Sequence, residues 1–133
     1  MYFLDTNICI YFLKGKFPQL VDRLREENPS RIAIPAMVKT ELLLGAEKSN
    51  NPESRHALVE SFLAPFEIAP FDNRASSIYA EIGADLERKG TIIGPNDLII
   101  AATVLAQDGV LVTHNVDEFR RIPSLPIVDW TVD

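Results

Sequence analysis

The chain has 133 residues, 47% hydrophobic and 24% charged, proportions that exclude a disordered tail, a collagen-like repeat and a disulfide scaffold. No apolar run approaches the roughly 20 residues of a membrane-spanning helix, and the first residues lack the basic start and cleavage site of a signal peptide, so the expectation is one cytoplasmic domain over residues 1–133 with no membrane association. Thirteen basic against nineteen acidic residues leave a net charge of −6, the wrong sign for gripping nucleic acid by bulk charge, so a phosphate-bearing substrate needs bound cations, a local basic patch or a positively charged partner.

In chain order, Tyr2-Phe3-Leu4 reads as a short strand ending at Asp5-Thr6-Asn7, three residues that favour helix N-caps, ahead of the apolar Ile8–Leu13. Cys9 lies inside that stretch and reads as a small core residue. A helix is expected from Phe17 to Glu27, with Pro18 in its first turn and Leu20, Val21 and Leu24 as its stripe; Asn28-Pro29-Ser30 breaks it. Arg31–Pro35 reads as a second strand, followed by a helix over about Ala36–Glu47 and another from Pro52 to about Leu63. Phe66–Pro70 is the third strand. Asp72 or Asn73 caps a helix running to Lys89, with Gly90 as its terminating residue. Gly94-Pro95-Asn96-Asp97 opens Leu98–Ala106, apolar on all sides and therefore a buried helix. Val110–Thr113 is a fourth strand and Ile127–Trp130 a fifth. Alternation of strands and helices predicts an α/β fold: a parallel sheet of about five strands with helices on both faces.

Ligands of open parallel sheets bind beyond the carboxyl ends of the strands, where the strand order reverses. Asp5 follows the first strand directly. Glu41 falls at i+3 from Val38, with Leu42 and Gly45 at i+4 and i+7, which predicts a carboxylate on the core-facing stripe, and such a group needs a basic partner, a proton or a metal. Asp97 occupies the first turn of the apolar helix. Thr113-His114-Asn115-Val116-Asp117-Glu118 follows the fourth strand and adds two acids and an amide. Each residue also has a plainer reading: a helix cap for Asp5 and Asp97, a mis-phased surface glutamate for Glu41, solvated loop groups for Asn115, Asp117 and Glu118. Several carboxylates at one locus repel one another unless cations bind, and oxygen donors select Mg²⁺ or Mn²⁺ over zinc. His56 and His114 lie in separate regions, which argues against a paired-histidine mechanism; no phosphate-binding glycine loop or nucleophile elbow is present.

Four segments carry a resemblance in order and spacing: Leu4-Asp5-Thr6-Asn7; Glu41-Leu42-Leu43-Leu44-Gly45-Ala46-Glu47-Lys48-Ser49; Arg88-Lys89-Gly90-Thr91 leading to Gly94-Pro95-Asn96-Asp97; and Val112-Thr113-His114-Asn115 with Glu118-Phe119. Together with the Ile127-Val128-Asp129-Trp130 ending, they resemble the VapC toxins, PIN-domain ribonucleases of type II toxin–antitoxin systems. The resemblance implies an endoribonuclease dependent on Mg²⁺ or Mn²⁺, dimeric, and neutralised by a VapB-like antitoxin in a hetero-oligomer. It implies Asp5, Glu41 and Asp97 as metal-binding acids, with Thr6 and Asn7 supporting the first and Thr113 beside them. Where many PIN domains place a fourth acid this chain has Asn115, with Glu118 or Asp117 as candidate substitutes.

Hydrolysis of an RNA phosphodiester by metal-activated water fits both readings. The residues do not name the RNA; the resemblance implies structured RNA such as tRNA, an initiator tRNA in particular. Lys14, Lys16, Lys39, Arg74, Arg120 and Arg121 are the candidate local cations. Two rivals are an inactive PIN-like binding module and a dehalogenase-like phosphatase, although the latter's second aspartate, two residues after the first, is replaced here by Asn7.

Overall fold

The computed structural model describes residues 1–132. The strands are β1 (Tyr2–Leu4), β2 (Ile32–Pro35), β3 (Glu67–Ala69), β4 (Val110–Val112) and β5 (Ile127–Val128). The helices are α1 (Thr6–Leu13), α2 (Pro18–Glu26), α3 (Ala36–Glu47), α4 (Pro52–Leu63), α5 (Asn73–Lys89), α6 (Pro95–Ala106) and α7 (Val116–Phe119), with a 3₁₀ turn at Pro29–Arg31. The strands form one parallel sheet in the order β3-β2-β1-β4-β5. All four residues of β2 are buried, as expected of a parallel strand covered on both faces.

The predicted elements form close to their expected limits because their stop signals act locally. Asp5 accepts a hydrogen bond from the Ile8 amide (2.9 Å) and Asp72 from the Ala75 amide (2.9 Å), capping α1 and α5. Gly90 ends α5 at φ +67, a left-handed conformation that glycine adopts without strain. Helix α6 is enclosed, with Ile100, Ala101, Ala102 and Val104 fully buried, and α1 adds Ile8 and Cys9 to the same contiguous core. Burial pushes the Cys9 thiol well above its usual value, which keeps it un-ionised.

Three expectations need correction. Phe17 lies outside α2, at φ +62, because a residue preceding proline is disfavoured in the helical region; its ring packs on Tyr11 at 5.2 Å and His114 at 5.3 Å. Trp130 lies beyond β5 and packs edge-on to Tyr2 at 5.0 Å. The stretch after β4, read as loop, contains α7, one turn that buries Phe119.

Candidate active site

The strand order places the reversal between β1 and β4: the chain steps outward from β1 through β2 to β3, then returns to the other side of β1 for β4 and β5. Asp5 leaves the carboxyl end of β1 and Asn115 stands three residues past β4. Helix α3 brings Glu41 from one side and the first turn of α6 brings Asp97 from another. A cleft of about 240 Å³ opens there, lined by Asp5, Thr6, Asn7, Glu41, Asp97, Asn115 and Phe119.

Asp5 is only 5% exposed, and both its oxygens are engaged: Oδ1 by the Ile8 amide, Oδ2 by the Thr113 hydroxyl at 2.5 Å. Burial pushes its pKa up to about 6, against the two hydrogen bonds; Asp129 and Glu41 add repulsion. Thr113 Oγ1 also accepts from the Asn115 amide at 3.0 Å, so one hydroxyl ties the end of β1 to the turn after β4. The core-facing stripe of α3 is Val38, Leu42 and Ala46. Glu41 stands at its border, half-buried, while Gly45 is exposed, which corrects the expectation of a carboxylate pointing into the core. Its partner is the Thr6 hydroxyl, which donates to Oε1 at 2.6 Å.

Asp97 does not cap α6, whose N-cap Gly94 has no side-chain bond. Its carboxyl is pushed up to about 7, first by burial, then by the hydrogen bond and charge of Glu118, then by Glu41 and Asp5. Glu118 is fixed on α7: Oε1 accepts from the Gly94 amide at 3.3 Å and Oε2 from Asn115 Nδ2 at 2.5 Å. Neither candidate substitute for a fourth acid is among the residues lining the cleft, but Glu118 lies against Asp97 whereas Asp117 is exposed. Asn7 is exposed at the cleft's edge.

Burial and mutual repulsion hold Asp5 and Asp97 above the ordinary carboxylate range, an arrangement that a divalent cation relieves. The donors are all oxygens, the chemistry that suits Mg²⁺ or Mn²⁺. Among the described residues no three acidic, histidine or cysteine side chains meet closely enough to ligate one ion directly. That is compatible with Mg²⁺, which binds through one or two carboxylates and keeps several waters.

A family profile for the PIN domain matches residues 2–125. The chain is 41% identical to the tRNA(fMet)-specific endonuclease VapC of Salmonella typhimurium over 129 residues, covering 97% of each chain. It is 40% identical to ribonuclease VapC2 of Rickettsia felis over 134 residues, covering 98% of each. The chain belongs to the PIN-domain family, among the VapC proteins. A crystal structure of DNA-bound VapBC from Salmonella typhimurium aligns with it at a TM-score of 0.91 and 41% identity, covering 97% of each chain.

In this VapC-family chain a polar cluster beside the cleft had no sequence signal. His114 Nδ1 lies 3.0 Å from Asp129 Oδ2 and 2.8 Å from Thr131 Oγ1. Burial works against the Asp129 carboxylate, yet the Thr131 hydroxyl and amide, with His114, hold it below its usual value. The partners come from positions 15 and 17 residues apart, brought together only by the pairing of β4 with β5. His56, by contrast, is exposed on α4 near Glu60. Of the candidate cations, Arg74 pairs with Asp108 at 3.8 Å, Arg121 donates to the Ile92 carbonyl at 2.7 Å, and Lys16 lies over the Tyr11 ring at 4.9 Å. None of the six lines the acidic cleft.

Proposed function

We propose that this chain is the ribonuclease toxin of a VapBC-type toxin–antitoxin pair, an endonuclease that hydrolyses tRNA with a divalent cation, Mg²⁺ or alternatively Mn²⁺. The observation that carries the reading is the gathering of Asp5, Glu41 and Asp97 in the cleft at the switch point of the sheet, with Glu118 beside Asp97, an arrangement that raises the carboxyls of Asp5 and Asp97. The relatives' names support RNA as substrate, and that of the Salmonella protein supports the initiator tRNA.

Asp5, Glu41 and Asp97 would hold the cation, not all three directly but in part through its waters, with Glu118 beside Asp97 as the fourth acid. A bound divalent cation supplies an activated water and stabilises charge developing on the phosphate and leaving oxygen. The chain's own residues fix the geometry. Thr113 and the Ile8 amide hold Asp5 in one orientation, and Thr6 does the same for Glu41. Burial and Glu118 raise the Asp97 carboxyl to about 7, and a bound cation would favour its ionised form. Water oxygen joins phosphorus and the bond to the 3′ oxygen breaks, so the products carry a 5′-phosphate and a 3′-hydroxyl without using the ribose 2′-hydroxyl.

The chain acts as a homodimer and forms a hetero-oligomer with a VapB-like antitoxin, which neutralises it by placing an Arg or Lys among the carboxylates in place of the cation. The deciding experiment incubates purified protein with initiator tRNA and with bulk tRNA, in Mg²⁺, Mn²⁺ or EDTA, and maps the product ends. Cleavage in either metal, its loss in EDTA and 5′-phosphate ends are expected. A 2′,3′-cyclic product or EDTA-resistant cleavage overturns the mechanism, and no cleavage of any RNA leaves an inactive binding module.

A further inference from the structure

A second groove of about 240 Å³ opens beside the acidic cleft, among the C-terminal end of α1, the side of α3 and the first turns of α4. Leu13, Leu42 and Val59 form an apolar floor, and Lys14 and Arg55 stand at its rim. Glu41 lines both this groove and the cleft that holds Asp5 and Asp97. The two therefore adjoin at one carboxylate.

The two cations are uncommitted. Elsewhere Arg23 and Arg31 reach Glu27, Arg88 and Lys89 reach Asp85, and Arg74 reaches Asp108. Among the described residues, neither Lys14 nor Arg55 lies within ion-pair distance of a carboxylate. Lys14 suits the C-terminal end of α1, but Arg55 sits in the first turn of α4, where the helix dipole disfavours a positive charge. Helix stability does not account for it.

An RNA strand entering an acidic cleft on a chain of net charge −6 needs positive contacts on the phosphates next to the scissile one. We infer that this groove is the subsite for the flanking nucleotides of the RNA: Lys14 and Arg55 bind backbone phosphates, and the apolar floor receives the ribose or base between them. The inference rests on the ribonuclease reading above and extends it. Arg55 had no sequence signal, because its partner Lys14 lies 41 positions away on another helix.

The test uses the full chain, bulk tRNA and Mg²⁺, comparing the wild type with the Lys14→Gln/Arg55→Gln double variant. The expected result is a KM raised about tenfold with kcat nearly unchanged, and a plot of log kcat/KM against log salt that is shallower by about 1.5, one phosphate contact being lost for each residue. The Lys14→Arg/Arg55→Lys variant should restore both. A merely structural role would lower the melting temperature and leave the salt slope in place. If the wild type cleaves and the double variant matches it in KM and slope, the inference falls while the ribonuclease reading stands. Unchanged kinetics with lost neutralisation by a VapB-like antitoxin would assign the groove to the protein partner and overturn the inference equally. A wild type that cleaves nothing overturns the ribonuclease reading and the subsite with it.

Discussion

Replacing Asp97 by Asn keeps the size of the side chain and removes one negative charge from a cluster in which burial and Glu118 push that carboxyl up to about 7. Because Asp97 is no helix cap, the change should leave the fold intact: melts in EDTA should show a melting temperature no lower than wild type, since repulsion is relieved. Cleavage of tRNA should fall by about 100-fold or more with a ligand to the cation gone. Near-normal cleavage by a folded variant would remove Asp97 from the site. A second pair separates the two acids of α7. Glu118→Gln should weaken Mg²⁺-dependent cleavage by about tenfold or more, whereas Asp117→Asn, on an exposed carboxyl away from the cleft, should leave it unchanged. Equal effects would dissolve the distinction between them. The sequence pointed to Asp5, Glu41 and Asp97 by strand ends and helix phase. It could not choose between Asp117 and Glu118, because one turn of helix has too few residues to show a period, and the choice depends on where α7 docks against Gly94.

Helix α5 ends at a left-handed glycine, and the segment from Gly90 to Gly94 then turns the chain so that α6 begins with Asp97 at the cleft. Gly90→Ala should cost about 1 kcal/mol in denaturant unfolding, since a Cβ is strained at that φ although nothing crowds it. A variant as stable as wild type would show that the end of α5 relaxes freely. At this scale most of the fold was legible, because caps, prolines and apolar runs act within a few residues. The expectations for Phe17 and Glu41 were off for the same kind of reason: a proline one residue on and a rotation of α3 by less than one position decide where a side chain points. Periodicity resolves a helix face, not its border. The His114–Asp129–Thr131 contacts depend wholly on tertiary pairing.

Across the whole molecule, two raised carboxyl groups set the pH dependence. Asp5 at about 6 and Asp97 at about 7 both start from 3.8, so between pH 4 and 7 the folded chain holds more protons than the unfolded one, and stability falls as pH rises through that window. For buried Asp5 the linkage is about 3 kcal/mol at most. Melts in EDTA should decline from pH 4.5 to 8, and Mg²⁺ should flatten or reverse the trend because it binds the ionised forms. A profile rising with pH in EDTA would contradict it. The position of β4 has a consequence for biosynthesis. It is inserted next to β1, more than a hundred residues after β1 was made, and it carries the Thr113 hydroxyl that holds Asp5. A nascent chain that has emerged only as far as α6 already owns Asp5, Glu41 and Asp97, but it lacks the strand that orients the first of them and the helix that supplies Glu118. The side-chain contacts that orient the cleft are therefore completed only when the last quarter of the chain has been made.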